Sequence, residues 1–355
     1  MYAGSVSGNA RSVLRMGLLA CMVAVLAACA PRPVARVAPP DDTAKEQVIY
    51  VATQRDLNRT GPVFGEARGQ GLNQFRLTVS VPPGHQTGLI EWPDKTPDAA
   101  TDFVIIDTKI LASSRQMADE MRKARTNPET LVFIHGYNNT LSEAVYRFAQ
   151  IKTDFEIDEP SVLFSWPSAG DPRGYIYDRD SILFARDDLR RTLDALTAQR
   201  GDQVFLVGHS MGALLVMEVL RQAALSGDRQ LLSQISGVVL MSPDIDPDLF
   251  RKQAEAIGKL PQPFLIFTSR QDRVLGLAAW LAGRKPRLGV IDGPEKVAGL
   301  EVQVIDFTAL GDGEGLNHSV PVTSPSAVGV LRGMIAQAEE NGGGFEDYLV
   351  LEAVQ

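Results

Sequence analysis

From about residue 130 onwards the chain alternates short, nearly unbroken apolar runs with longer segments in which apolar positions recur every three or four residues. The runs are "LVFI" (131–134), "SVLFSW" (161–166), "QVFLV" (203–207), "GVVLM" (237–241), "PFLIFT" (263–268) and "VQVIDF" (302–307). A strand that is apolar on both faces is buried on both faces, so the pattern predicts an α/β fold: a mostly parallel central sheet with helices on both faces. Thr140 and Glu143 form a capping box ahead of "LSEAVYRFAQIKTDF". Ile182, Ala185, Leu189, Leu193 and Leu196 mark the buried face of a second helix. Upstream, "VIYVAT" (48–53), "FRLTVSV" (75–81) and "FVIID" (103–107) are β-branched and aromatic runs separated by Gly, Pro and Asn, and they predict strands leading into the main sheet.

The amino terminus follows another pattern. Arg11 and Arg15 precede a 13-residue apolar run, Met16 to Ala28, shorter than the roughly 20 residues needed to span a bilayer. This is the layout of a signal peptide. Its end, "LAAC" (Leu26 to Cys29), resembles the bacterial lipobox, which implies cleavage before Cys29 and acylation of that residue; "LLAC" ending at Cys21 would leave a very short apolar core. Residues 1–28 are thus read as a lipoprotein signal peptide, 29–46 as a proline-rich tether, and 47–345 as a folded domain with an N-terminal strand extension and a core of about 100–335. Both cysteines lie in the targeting segment, so no disulfide is expected. Ala30 follows the cysteine instead of Asp, which by the lipoprotein resemblance implies the outer membrane, facing the periplasm.

Composition sets limits on partners. The chain has 355 residues, of which 45% are hydrophobic and 22% charged, with a net charge of −8 that becomes −10 once Arg11 and Arg15 are removed. That balance suits a globular domain and argues against a nucleic-acid partner, which would need clustered cations.

"GHSMG" (208–212) lies directly after one apolar run and before the helical segment "MGALLVMEVLRQAA". A Gly-x-Ser-x-Gly in this strand-turn-helix setting is a nucleophile elbow: the turn strains the serine backbone, and Gly208 and Gly212 let strand and helix pass closely. Ser210 is therefore the candidate nucleophile, and a serine hydroxyl needs a base. Of four histidines, His209 reads as a packing residue inside the elbow, His85 as a surface loop residue, and His135 as a loop-ordering residue. His318 remains, in the loop after the last run, where an α/β-hydrolase fold carries its base. Two loops compete for the acid: Asp272 follows the second strand after the elbow and is preferred, while Asp244 follows the first as a relocated alternative. Asp246 reads as a helix cap before Pro247. The oxyanion donors would be the N–H groups of Met211, after the nucleophile, and Tyr137, in the "HGYNN" loop.

Taken together, "YVATQRD", "LVFIHGYNNT", "VLFSWPSAG", "YIYDRDS", "LVGHSMG", "SPDIDPDLF" and "SRQDRVL" resemble, in this order, the bacterial α/β-hydrolase family of unknown function whose members are labelled esterase/lipase superfamily enzymes. The resemblance covers roughly residues 100–335 and implies Ser210, Asp272 and His318 as the triad. It implies a reaction type without a substrate. Trp166, Tyr175 and Tyr177 either line a substrate pocket or pack their loop, with Asp178 or Asp180 capping the next helix. Acyl transfer to water needs no cofactor, and no metal-ligand spacing occurs. The expected protein is a lipid-anchored serine hydrolase of small-molecule or lipid esters at the cell envelope. A peptidase, thioesterase or lipid acyltransferase on the same triad, or a non-catalytic envelope binding protein, are the alternatives.

Overall fold

Each apolar run forms a strand, and the three upstream runs join the same sheet. The strands are β1 (Lys45–Arg55), β2 (Arg68–Val81), β3 (Val104–Leu111), β4 (Glu129–Ile134), β5 (Ser161–Ser165), β6 (Gln203–His209), β7 (Ile235–Met241), β8 (Phe264–Thr268), β9 (Gln303–Asp306) and β10 (Tyr348–Val350). The helices are α1 (Ser114–Ala124), α2 (Leu141–Asp154), α3 (Tyr175–Leu196), α4 (Met211–Leu225), α5 (Arg229–Gln234), α6 (Pro247–Ile257), α7 (Arg273–Leu281), α8 (Val320–Thr323) and α9 (Pro325–Asn341). The structure is a computed structural model that describes residues 32–56, 65–311, 316–341 and 348–351. The expected signal peptide (1–28) and Cys29 lie outside the described residues. Contacts divide the chain into two units, Met1–Val34 and Ala35–Gln355, and every element above belongs to the second.

Sheet order is β10-β9-β8-β7-β6-β4-β5-β1-β2-β3. From β10 to β1 all neighbours are parallel, while β2 and β3 are antiparallel additions at one edge. Successive side chains point to opposite faces, so Val132 and Ile134 enter one apolar layer and Phe133 the other. The first layer is completed by α1, α3, α4 and α6, the second by α2 and α9. Thr140 caps α2 in the expected capping box, and Asp246 caps α6 ahead of Pro247. Register then aligns the strand ends: Ile134 lies opposite Gly208, His209 opposite Met241, Met241 opposite Phe267, and Thr268 opposite Asp306. The loops after β4, β6, β7, β8 and β9 therefore open at one edge of the sheet, where parallel α/β sheets hold their ligands.

Three expectations need correction. Part of the stretch read as a tether (29–46) lies along the sheet: Arg36 O accepts from the Ile105 N–H at 2.8 Å, the Ala38 N–H donates to Ile105 O at 3.2 Å, and β1 begins at Lys45. β3 is an edge strand with free backbone groups, and small residues such as Ala35 and Ala38 can approach them. The domain also runs past 345, because β10 adds to β9; three residues are too few to show a period in sequence. His85 is no free surface residue. Its ring nitrogens lie 2.8 Å from Glu91 Oε2 and 3.1 Å from Asp154 Oδ1, and its ring stands edge-on to Phe103.

Burial alone would pull the His85 pKa down, but the Asp154 and Glu91 carboxylates outweigh it and hold it at about 9 instead of 6.5. The native chain thus binds the extra proton between those values. This contribution to stability is complete below 6.5 and lost as pH rises through about 9. Urea unfolding should show wild type more stable than His85→Gln near pH 6, with the gap closing by about pH 10; a gap that ignores pH would contradict the ion-pair account.

Candidate active site

Ser210 stands between β6 and α4 with φ 54° and ψ −117°. For an L residue such a conformation costs on the order of 1–3 kcal/mol and persists only where surroundings impose it. Here the Ser210 N–H donates to Met241 O at 2.9 Å, and Ser210 O accepts from the N–H groups of Asp244 at 3.1 Å and Ala213 at 3.2 Å. The start of α4 presses against the end of β4 so closely that a Cβ on Gly212 would lie 2.5 Å from the Ile134 and His135 carbonyl oxygens. The expected elbow is present.

Asp272 follows β8 and caps α7, its Oδ1 accepting from the Leu275 N–H at 2.9 Å. Its Oδ2 lies 2.7 Å from His318 Nδ1. A carboxylate can only accept, so Nδ1 is the donor in that contact. His318 is held over the elbow by His209, whose Nε2 donates to His318 O at 3.2 Å and whose ring lies 4.7 Å from the His318 ring. Burial first, and His318 second, keep His209 well below 6.5 and so neutral. Among the described residues no hydrogen bond joins Ser210 Oγ to His318. Asp272 and His318 meet directly, whereas Ser210 reaches them through its neighbour.

The "HGYNN" loop crosses the elbow at Gly136, where a Cβ would lie 2.9 Å from Ser210 Cβ and 2.7 Å from His209 Nδ1. Tyr137 and Met211, the two expected oxyanion donors, thereby flank Ser210. His135 orders this loop as expected: it is buried, its Nε2 lies 3.1 Å from Ser165 Oγ, and Trp166 Nε1 donates to His135 O at 2.8 Å. Burial, then the nearby Arg55, lower its pKa to about 3, which leaves it neutral. Trp166 stacks on His135 at 4.9 Å and packs its loop, and Tyr177 lies under the Arg68 guanidinium at 4.3 Å, packing the start of α3 against β2. Tyr175 is buried, and its hydroxyl donates to Asp244 Oδ2 at 2.9 Å. Asp244 is also 3.0 Å from Arg287 Nε. The alternative acid is thus engaged by a cation and a phenol, while Asp272 meets the histidine.

Two buried residues hold the loop in place, Arg55, which the sequence did not single out, and Asp178, which it offered as a helix cap. Arg55 ends β1 and donates from Nε to Ser165 Oγ at 3.1 Å, from Nη1 to Ser168 O at 3.0 Å, and from Nη2 to Asn139 O at 2.7 Å. Burial lowers its pKa to about 10, which still leaves it charged at neutral pH. Asp178 lies inside α3 and does not cap it. Its Oδ2 accepts from the Asn138 N–H at 3.0 Å and the Ser168 hydroxyl at 2.7 Å, and its Oδ1 accepts from the Ala169 N–H at 2.7 Å. Burial raises its pKa, against the pull of those donors. Both residues stand in stretches that carry the family resemblance, and a charge closing an apolar strand was the available signal for Arg55. Asp178→Asn would aim an amide N–H at groups that themselves donate. It should lower stability by about 1–3 kcal/mol per donor left unpaired, read as a urea midpoint; an unchanged midpoint would show that the loop does not depend on Asp178.

The family model for "alpha/beta hydrolase of unknown function (DUF900)" matches residues 111–336. No curated protein matches the chain. Among solved structures, the chain is similar to fungal esterases from Rhizomucor miehei at 16% identity and a TM-score of 0.34, over 86% of this chain and 85% of that one. A dienelactone hydrolase from Anabaena variabilis is 12% identical with a TM-score of 0.35, over 83% of this chain and 96% of that one. A serine hydrolase without lid from Xanthomonas campestris is 14% identical with a TM-score of 0.37, over 86% and 97%. None of these likenesses bears on a substrate. The family match, which takes in more than half of the chain and contains the elbow, Asp272 and His318, is decisive: this chain belongs to the α/β-hydrolase family of unknown function, and it is a hydrolase.

Proposed function

We propose that this hydrolase cleaves carboxylic esters through an acyl-enzyme on Ser210, and does so at the bacterial cell envelope. The observation that carries the reading is the 2.7 Å contact of His318 Nδ1 with Asp272 Oδ2, beside a serine held in a strained elbow. With Nδ1–H committed to the carboxylate, Nε2 is the basic nitrogen. It takes the Ser210 proton as Oγ bonds to the ester carbonyl carbon, and the carbonyl electron pair moves onto oxygen. The N–H groups of Met211 and Tyr137 stabilise that anion; Met211 opens α4, so its N–H has no carbonyl partner within the helix. The tetrahedral species collapses, the bond to the alcohol oxygen breaks, and the alcohol leaves with the proton from His318. Water then gives its proton to His318 and attacks the acyl carbon, and Ser210 departs with that proton, releasing the acid. On this reading the Ser210–His318 hydrogen bond forms as substrate arrives, since catalytic contacts in unliganded sites are commonly long and close only in the complex.

A fluorophosphonate probe should label wild type and leave Ser210→Ala unlabelled; an unlabelled wild type would sink the reading. Across p-nitrophenyl esters of increasing chain length, Asp272→Asn should lower kcat by on the order of 10³–10⁴ with little change in KM, and a loss under about tenfold would assign the acid elsewhere. Labelling without turnover of any ester would move the reading to a peptidase or an acyltransferase. The envelope address rests on the lipobox resemblance. Radiolabelled palmitate should enter the wild-type protein and not Cys29→Ala, and label persisting in that variant would refute the anchor.

A further inference from the structure

α7 springs from the catalytic loop: Asp272 caps it, and the Arg273 N–H donates to Leu316 O at 3.1 Å, tying it to the segment that carries His318. Its inner side buries Leu275 and Ala278. Arg273, Leu277, Trp280 and Leu281 are spaced i, i+4, i+7 and i+8, one face of a helix, and among the described residues that face is left largely exposed. Leu277 is 56% exposed, Trp280 61%, Leu281 50%, and Leu316 beside them 54%. After the helix, Gly283 and Arg284 take left-handed conformations and the chain folds back, the Arg284 N–H donating to Ala279 O at 2.8 Å. Arg284 and Lys285 thereby sit at the end of the apolar face.

The charges around this face run against the rest of the molecule. In a chain of net charge −8, residues 270–287 hold five cations and a single acidic residue, Asp272, which is buried against His318. Arg270 and Arg287 pair with Asp306 and Asp244. Arg273, Arg284 and Lys285 are exposed and have no carboxylate partner among the described residues. Leucine and tryptophan on one face with Arg and Lys at its border is the composition of a helix that lies in a membrane interface. A second copy packed by two-fold symmetry would set the same cations against each other, whereas an anionic headgroup layer neutralises them.

We propose that the outer face of α7, with Leu316, docks on an anionic lipid bilayer and sets the His318 edge of the site at that surface. The docking itself needs no turnover; its consequence, that the ester acted on is carried in the bilayer, rests on the ester-hydrolase reading.

The test uses the full chain carrying Cys29→Ala, which removes the expected acylation site. It is mixed with phosphatidylglycerol/phosphatidylcholine vesicles whose phosphatidylcholine is brominated in the acyl chains. Trp166 is buried and Trp92 partly buried, so exposed Trp280 is the reporter. Trp280 emission should be quenched, and the quenching should be absent in Trp280→Phe. Arg284→Glu with Lys285→Glu should weaken vesicle binding by at least about tenfold, as should pure phosphatidylcholine vesicles. Equal quenching in the parent and Trp280→Phe would overturn the proposal. So would self-association that Leu277→Ser abolishes, which would make the face a contact between copies. Fluorophosphonate labelling of the same samples without vesicles reports on Ser210 alone, so failure of the ester reading and failure of docking are told apart.

Discussion

The peptide units around Ser210 are held where an L residue does not go unaided, and the rest of the site is arranged around that constraint. The Ser210 N–H is bonded to Met241 O and its carbonyl to the Asp244 N–H, both at the end of β7. The elbow therefore exists only while β7 lies beside β6 in register. The same register sets Met241 opposite Phe267 and Thr268 opposite Asp306, so the loop bearing Asp272 and the segment bearing His318 leave from the same edge. Gly136 and Gly212 let the β4 loop and α4 close around the serine without a Cβ between them.

Strands buried on both faces were legible because nothing but apolar side chains suits them, and β4 to β9 each coincide with an unbroken run. The elbow was legible because its glycines and its flanks are local in sequence. The choice between Asp272 and Asp244 was not local. Both follow strands, and what separates them is Arg287 and Tyr175, dozens of residues from Asp244 in either direction, which engage it in the folded chain. Asp178 misled for a similar reason: its position near a helix start suggests a cap, but its oxygens reach back to the Asn138 and Ala169 N–H groups. Residues 35–38 looked like linker because their attachment is through backbone atoms, which leave little mark on composition.

The family match begins at residue 111, after β1, β2 and most of β3. Yet β1 is not an appendage, for it pairs in parallel with β5 and ends at Arg55, whose three donors grip Ser165, Ser168 and Asn139. A buried guanidinium left without these acceptors would be costly, and the acceptors would in turn lose their donor. The N-terminal strands thus support the loop that crosses Ser210. The shared fold supplies the elbow, and this extension fixes the wall facing it.

Whether Ser210, His318 and Asp272 work as a unit is measured most directly by mixing the protein with excess p-nitrophenyl butyrate, following p-nitrophenol from the first milliseconds, and quenching in acid for mass spectrometry. The account predicts an initial release of about one equivalent per chain and a butyryl group on the peptide containing Ser210. Steady product release with no acyl group on that peptide, or with the group on another residue, would contradict it.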